Sequence, residues 1–419
     1  MRKSILIAIL ILIAAASASS QTIAITNGTV YPVGSAPIQN GTVLIRDGVI
    51  IAVGAGVVVP AGAARIDATG KVVTPGLINS QTELGVIEID QVKETNDVTA
   101  KGTNNVSAAF RVWDGLNPAS VTFGPARNEG ITSAIIAPRG GLVAGQAAVV
   151  DLVSGHAAEM IRKAPIAMLA QVDNPTSAGT SARGELMSKL RALLNDAAFY
   201  LTRRGDYDRG SSRTLNATSA DLEALIPVIN GQMPLIIEAN RMDEIDAALK
   251  LARDYHLKLI ITGGAEAWLS ADHLAAAQVP VMTGAMSNLP SSFATLNQRQ
   301  ENAGLLRRAG VRVILIATSG TDVSRFNARN VKYEAGNAVA YGMSHDDALR
   351  AVTLTPAEVF GVSDHIGSLE PGKDANVVVW SGDPFEFSTR VEHVMIRGRE
   401  ILEPSRQDML IERYKPHPK

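Results

Sequence analysis

The central part of the chain alternates short apolar segments with helical ones, and this rhythm constrains the fold more than any other feature. Helical spacing is clearest over 243–254, where apolar residues recur three or four positions apart and charged residues take the other face. Eight segments have the composition of buried strands: 72–79, 131–137, 146–152, 165–171, 234–240, 258–263, 279–284 and 311–318. Strands alternating with helices are typical of βα units. Eight of them predict an α/β fold, a barrel of parallel strands ringed by helices.

The two ends of the chain have a different texture, with short apolar runs separated by turn residues. Asp47-Gly48 joins the apolar runs 43–45 and 49–51, which is a strong hairpin pattern. A single barrel of this kind takes about 250 residues, so a chain of 419 has room for a smaller second unit. We therefore predict a barrel over 71–363 and a small β-sandwich built from 21–70 and 364–410.

The first twenty residues predict export. Arg2 and Lys3 precede an apolar run over 5–13, and small residues follow up to position 20. A charged start, a short apolar middle and a small-residue exit match a secretory signal, here 1–20. The apolar run is shorter than the ~20 residues of a membrane span. We expect a secreted, periplasmic protein that has no membrane span after cleavage.

Composition excludes some classes of partner. The net charge is −2, and aromatic residues make up 4% of the chain. Such a chain offers neither a basic field nor stacking surfaces for nucleic acid. The chain has no cysteine, so disulfides and thiol nucleophiles are excluded. A small-molecule substrate or ligand is the expected partner, and a homo-oligomer or a partner subunit is left open.

Three stretches, taken in order, resemble the amidohydrolase superfamily in its imidazolonepropionase-like branch. They are 73–85, which contains Pro75-Gly76-Leu77-Ile78, then 350–362, and then 366–380 followed by Gly382-Asp383-Pro384. The resemblance implies a TIM-like barrel and a small β-sandwich. It also implies a hydrolase in which one or two divalent metals activate water for attack on a carbon–nitrogen bond of a cyclic amide or peptide-like substrate.

The residues at the family's metal positions differ from the usual set. The first-strand histidine pair corresponds to Gln81 and Glu83, and the later histidines correspond to Glu238 and Gly263. The strand that often carries a bridging lysine has Leu169 and no lysine. The catalytic aspartate corresponds to Thr318 or, in another register, to Asp322; the first register keeps the strand length ordinary. The resemblance thus predicts that the zinc-binding histidines are replaced, with no cofactor or, at most, a divalent metal in a substitute carboxylate site.

Two interpretations of the acidic residues stay open. Glu83, Glu238 and Asp322 would converge at the barrel mouth, where they would attract a hard cation or act as acid and base. Alternatively, these acids pair with Arg241, Arg325 or Arg329. Catalytic candidates are therefore Glu238, Thr318 and Asp322, and candidates for binding a ligand are Asn240, Arg241, Asn327, Arg329 and Asn330.

The function also stays open between two classes. One is an amidohydrolase-type hydrolase, and the other is a noncatalytic barrel that binds a ligand or partner. A further expectation concerns 173–213, which is long and polar. Within it, 205–212 has the composition of an exposed loop that would serve as a lid over the barrel mouth.

Overall fold

The computed structural model describes residues 21–89, 91–173, 182–286, 289–290, 292–317, 328–401, 404 and 406–415. The predicted signal segment 1–20 lies outside them. The chain begins with five strands: β1 (Thr22–Val30), β2 (Ile38–Arg46), β3 (Val49–Gly54), β4 (Ala64–Asp67) and β5 (Val72–Pro75). Asp47 and Gly48 form the predicted hairpin turn between β2 and β3. Both have positive φ angles, 49° and 84°, as a two-residue turn of this type requires.

The chain passes from one sheet to another at Gly76. The segment predicted as one strand over 72–79 is in fact two: β5 in the sheet of the chain ends, and β6 (Leu77–Thr82) in the barrel. A Cβ atom at position 76 would lie 2.1 Å from the side chain of Thr132, so only glycine allows this close approach.

Eight strands form the barrel, as the sequence predicts. After β6 they are β7 (Ile131–Ile136), β8 (Val143–Asp151), β9 (Ile161–Gln171), β10 (Leu235–Ala239), β11 (Leu259–Gly263), β12 (Val281–Thr283) and β13 (Val313–Leu315). Each pairs with the next along the chain, and β6 and β13 at the two ends of this path contact each other.

The expectation that all eight strands are parallel is wrong for one of them. Strand β8 runs antiparallel to both β7 and β9. Only 137–142 connect β7 to β8, which is too short for the crossover that a parallel pair needs. The third strand therefore returns as a hairpin within an otherwise parallel barrel.

Apolar side chains fill the barrel interior. Successive strands contribute one or more buried residues each, which form a single cluster closed at one end by Phe360, Val362 and Ile366. The strand residues include Ile78, Ile135, Leu169, Ile236, Ile260, Met282 and Ile314. The interior is thus a packed core.

Helices cover the outside. The long ones are Arg183–Asp208, Ser219–Ile229, Met242–Tyr255 and Val331–Ala340; the shorter ones are Phe123–Arg127, Ala157–Met160, Ala271–Ala276, Asn302–Arg308, His345–Ala351, Leu354–Val359 and Arg406–Tyr414. The expectation of an exposed loop over 205–212 is wrong for 205–208, because the first long helix runs to Asp208, and it holds for 209–212, which follow the helix. Leu186, Leu190 and Leu194 are buried on one face of this helix, and most of its polar residues, with the exception of the buried Asp196, are at least partly exposed. No helix in the described ranges has the length and apolar character of a membrane span.

The end of the chain completes the first sheet. Strand β14 (Val377–Trp380) pairs antiparallel with β5, and β15 (Val391–Ile396) and β16 (Arg399–Glu400) follow at its edge. Both chain ends therefore build one eight-stranded sheet with its own apolar core. The fold is the expected TIM-like α/β barrel with an additional β structure formed by the two ends.

Buried polar contacts join the terminal sheet to the barrel. Within the terminal sheet, the fully buried Trp380 of β14 donates from Nε1 to Thr74 Oγ1 of β5 at 2.8 Å. The link to the barrel is made by an ionic network. Asp151 of β8, also fully buried, accepts from Arg162 at 2.5 Å and pairs with Arg397 at 2.7 Å. A buried carboxylate with two arginine partners is well compensated, so this network fixes the terminal sheet on the barrel.

Candidate functional site

The barrel mouth, formed by the carboxyl ends of the barrel strands, is where this fold places its functional groups. Gln81 lies near the end of β6 and Thr262 near the end of β11. The hydroxyl of Thr262 donates a hydrogen bond of 2.5 Å to Gln81 Oε1. Because β6 and β11 are not neighbours in the sheet, this bond crosses the barrel mouth. The amide oxygen of Gln81 is thereby occupied by a protein donor.

Glu83 follows β6 and is 4% exposed. Its Oε1 lies 3.0 Å from Nη1 of Arg139, whose side chain is 45% exposed. The sequence suggested Arg241, Arg325 or Arg329 as partners of the acids at the barrel mouth. Arg325 lies outside the described residues, and the partner of Glu83 that the described residues show comes from the loop after β7. Since β6 and β7 are adjacent and parallel, the loops that follow them are also adjacent. A buried carboxylate held by an arginine is stabilised in its charged form.

A second polar pair lies on the neighbouring strands. Glu238 of β10 stands directly beside Gln171 of β9 and Thr262 of β11 in the sheet register. Its Oε2 accepts a hydrogen bond of 2.6 Å from Gln171 Nε2. Burial raises the pKa of Glu238, the hydrogen bond from Gln171 opposes that rise, and the charge of Glu244 adds to it. Gln171, Glu238, Thr262 and Gln81 thus form one polar belt near the top of the barrel.

Asp173 follows β9, and its pKa is also raised. Burial, followed by the charges of Glu238 and Glu244, raises the pKa of Asp173 from 3.8 to about 7. Asn240 Nδ2 donates to its Oδ2 at 3.1 Å and partly opposes this rise. Its other oxygen, Oδ1, is buried and has no hydrogen-bond partner among the residues that the structure describes. A carboxyl group with a pKa near neutrality is able to exchange protons at physiological pH.

Another acid near the barrel mouth, Glu244, binds backbone amides. Glu244 accepts from the amides of Asn240 and Arg241 at 2.9 and 3.0 Å, and it also pairs with Arg183. These contacts cap the helix Met242–Tyr255. Arg241, a binding candidate, pairs with Asp243 at 2.9 Å on the exposed side. Asn240 is the binding candidate that contacts the polar groups of the mouth.

The candidates after the last strand are partly outside the described residues. Thr318, Asp322 and Asn327 all lie there, so the two registers for the catalytic aspartate stay predictions. Arg329 and Asn330 belong to a short helix, Ala328–Asn330, in which Arg329 is exposed. This helix is tied to β6, because Asn79 Nδ2 donates to the carbonyl of Ala328 at 2.8 Å.

Gly263 has no side chain to bind a metal, and the structure leaves no room for one. Its φ angle is +86°, and a Cβ atom there would lie 2.6 Å from Asn240 Oδ1. A side chain at this position would have to displace Asn240 from Asp173. On β11, the side chain that contacts Gln81 is that of the neighbouring residue Thr262. The polar side chain at the end of this strand is therefore one residue before Gly263.

The described residues do not fit the zinc group of the family. Zinc in hydrolases is held by imidazole nitrogens and carboxylate or thiolate donors. The barrel mouth instead offers three side-chain amides, a hydroxyl, a carboxylate paired with arginine and two carboxyls whose charged forms burial disfavours. In the described part of the chain, no three or more His, Cys, Asp or Glu side chains converge as a metal site would require.

Four residues of this site are not among the candidates that the sequence predicts: Arg139, Gln171, Asp173 and Thr262. Gln171 and Thr262 had a usable signal, because each is the last inward position of its strand by simple alternation from Leu169 and Ile260. Asp173 and Arg139 lie in loops, where strand alternation gives no direction for a side chain.

Comparison with known proteins agrees with this architecture. The sequence model of the amidohydrolase family matches residues 267–401. The crystal structure of an amidohydrolase from Thermotoga maritima MSB8 superposes with a TM-score of 0.81 at 28% identity, over 90% of this chain and 99% of that one.

Two sequence relatives extend the comparison. An imidazolonepropionase from Mesorhizobium japonicum is 24% identical over 370 residues, which are 82% of this chain and 87% of that protein. Amidohydrolase tasK from Hapsidospora irregularis is 23% identical over 379 residues, 81% of this chain but only 37% of that longer protein. The fold, the matched model and these relatives together establish that this chain belongs to the amidohydrolase superfamily.

Proposed function

We propose that this protein is an exported member of the superfamily whose barrel mouth binds a small molecule without zinc-dependent hydrolysis. The proposal rests on the contacts of Gln81 and Glu83, which stand where the family has its first-strand histidines. Gln81 is bonded across the mouth to Thr262, and Glu83 is paired with Arg139. Both side chains therefore serve protein contacts in the place where the family holds its metal.

The chemistry of the mouth suggests the class of ligand. The amides of Gln81 and Gln171 and the carboxyl of Asp173 are groups that recognise amides through paired hydrogen bonds. Arg139, half-exposed beside them, would attract a carboxylate. A cyclic amide or a small peptide-like molecule meets both requirements, and the imidazolonepropionase relative bears a name of that chemical class.

Metal content and turnover test the proposal together. Protein purified from zinc- and manganese-containing medium is expected to carry far less than one equivalent of metal, and a chelator should leave its thermal stability unchanged. A panel of cyclic amides and dipeptides should give saturable binding by calorimetry with no turnover. Stoichiometric metal whose removal abolishes hydrolysis of any panel member would overturn it.

A second candidate function rests on Asp173 and Glu238. Two neighbouring carboxyl groups with raised pKa values, one near 7, form a pair that would take and return a proton during hydrolysis. In that case the activity would be metal-independent. The pH dependence of this activity would follow the titration of Asp173. The variants Asp173→Asn and Glu238→Gln would each reduce kcat by at least about a hundredfold. Binding without turnover in the wild type favours the first proposal over this one.

Export is the remaining part of the proposal, and it rests on the charged and apolar pattern of 1–20. Expression of the full chain followed by periplasmic extraction should yield a protein that begins near residue 19 or 21. Retention of Met1 in a cytoplasmic fraction would contradict export while leaving the proposal for the barrel mouth intact.

A further inference from the structure

A described cavity lies at the opposite end of the barrel from the mouth. It measures about 720 Å³ and lies among the segments that lead into the strands: 163–166 in β9, 232–234 before β10, 257–260 at β11, 277–280 before β12 and Arg312 before β13. Residues 358–361, at the end of the helix Leu354–Val359, form its remaining wall. We call this the lower cavity. Its volume is in the range of small-molecule sites, about 300–1,000 Å³.

The floor of the lower cavity is apolar. Ile166, Ile260 and Phe360 are 4%, 2% and 3% exposed and belong to the cluster that fills the barrel. Pro234 and Val279 continue this surface up the walls. A hydrocarbon chain or ring entering the cavity would therefore leave water and contact a rigid apolar base.

The rim of the lower cavity is cationic. Lys163, Lys258 and Arg312 line it and are exposed, and within the described ranges none of them forms an ion pair. Lys163 donates to the carbonyls of Phe360 and Gly361, and Arg312 donates to that of Gln278. The acid on the wall, Glu358, is already paired with Arg350 at 2.6 Å. The three cations are thus uncompensated around an apolar depression, and this arrangement attracts an anion.

We propose that the lower cavity is a second binding site, specific for an organic monoanion with an apolar body, such as a medium-chain or aromatic carboxylate. The apolar part lies on Ile166, Ile260 and Phe360, and the carboxylate lies at the rim between Lys258 and Arg312. A purely inorganic anion would leave the floor unused, and a neutral apolar molecule would leave the cations unused. The site is independent of the chemistry at the barrel mouth.

Titration calorimetry with sodium octanoate at low ionic strength tests the proposal. One saturable site is expected on the wild type. The charge-inverting pair Lys258→Glu and Arg312→Glu should weaken binding at least about tenfold, and octanamide, which has the same chain without the charge, should bind at least about tenfold more weakly than octanoate. Both side chains are exposed, so the double variant is expected to keep the wild-type unfolding temperature.

Two controls locate the effect. Arg65→Glu with Lys101→Glu makes the same charge change at exposed positions outside the lower cavity and should leave octanoate binding unchanged. Glu238→Gln alters the barrel mouth and should also leave it unchanged, which separates this site from the proposed function. The proposal is overturned if the wild type shows no saturable binding, if the lower-cavity variant binds octanoate as tightly as the wild type, or if the surface control loses as much affinity.

Discussion

Thr262 donates a 2.5 Å hydrogen bond to Gln81 across the barrel mouth, between strands that are not neighbours in the sheet. Here, two neutral side chains make the link directly. The strands on opposite sides of the mouth are therefore linked directly by a hydrogen bond between side chains.

Removing the donor of this bond should lower stability by a modest amount. Thr262→Val keeps the shape of the side chain but leaves Gln81 Oε1 without its hydroxyl partner, at a cost of about 1 kcal/mol in the free energy of unfolding. Urea unfolding measures the loss. Thr262→Ser retains the hydroxyl and should recover most of it. Equal losses for valine and serine would mean that the methyl group, and not the bond, is what matters.

The Glu83–Arg139 pair should show coupling. Arg139→Met leaves the buried carboxylate of Glu83 without its arginine and should cost about 1–3 kcal/mol, less than for a fully buried pair because Arg139 is half-exposed. Adding Glu83→Gln should restore much of the loss. The double-mutant cycle on unfolding free energies gives the coupling. Additive single effects would show that the pair contributes little.

Stability should fall as pH rises through the titration of Asp173. Its folded pKa, about 7, is above the 3.8 of an ordinary aspartate, so the folded state binds the proton more tightly. The cost of ionising this carboxyl in the folded state begins near pH 4, grows by up to about 1.4 kcal/mol per pH unit, and is complete above pH 7. Asp173→Asn should be less sensitive to pH between 5 and 8. A wild-type protein that gains stability over that range relative to the variant would contradict the raised pKa.

A side chain at position 263 should be costly for a steric reason. Gly263→Ala would place a Cβ atom 2.6 Å from Asn240 Oδ1 on a backbone with φ +86°. Gly310 is a matched control, because its φ angle is +92° and a Cβ there would meet nothing within 4 Å. Gly263→Ala should therefore be about 1–3 kcal/mol more destabilising than Gly310→Ala. Similar losses of unfolding free energy in the two variants would mean that backbone strain alone accounts for the effect.

Much of the architecture was predictable because it depends on local periodicity. The eight barrel strands, the helix Ser219–Ile229 and the helix Met242–Tyr255 follow directly from apolar spacing. The break at Gly76 was not predictable in the same way. It depends on Thr132, a residue far along the chain that lies against the glycine. The hairpin return of β8 likewise shows only in the length of its connection, because a buried strand has the same composition in either direction.

The candidate site was less predictable because its side chains meet across the barrel. Gln81 and Thr262 are 181 positions apart, and nothing near either residue indicates the other. Glu83 and Arg139 meet because the loops after two adjacent strands are adjacent, which requires the sheet order. The raised pKa of Asp173 depends on burial and on Glu238 and Glu244, so it emerges only from the folded arrangement.

The pairing of β5 with β14 has a consequence for the order in which the protein is made. Val72–Pro75 leaves the ribosome early, whereas its partner Val377–Trp380 is among the last strands synthesised. Until then, one edge of β5 has no partner strand, and the hydrogen bond from Trp380 to Thr74 cannot form. The sheet of the chain ends therefore cannot be completed until synthesis is nearly finished. Truncation within the last strands should for this reason be more damaging than their small size suggests.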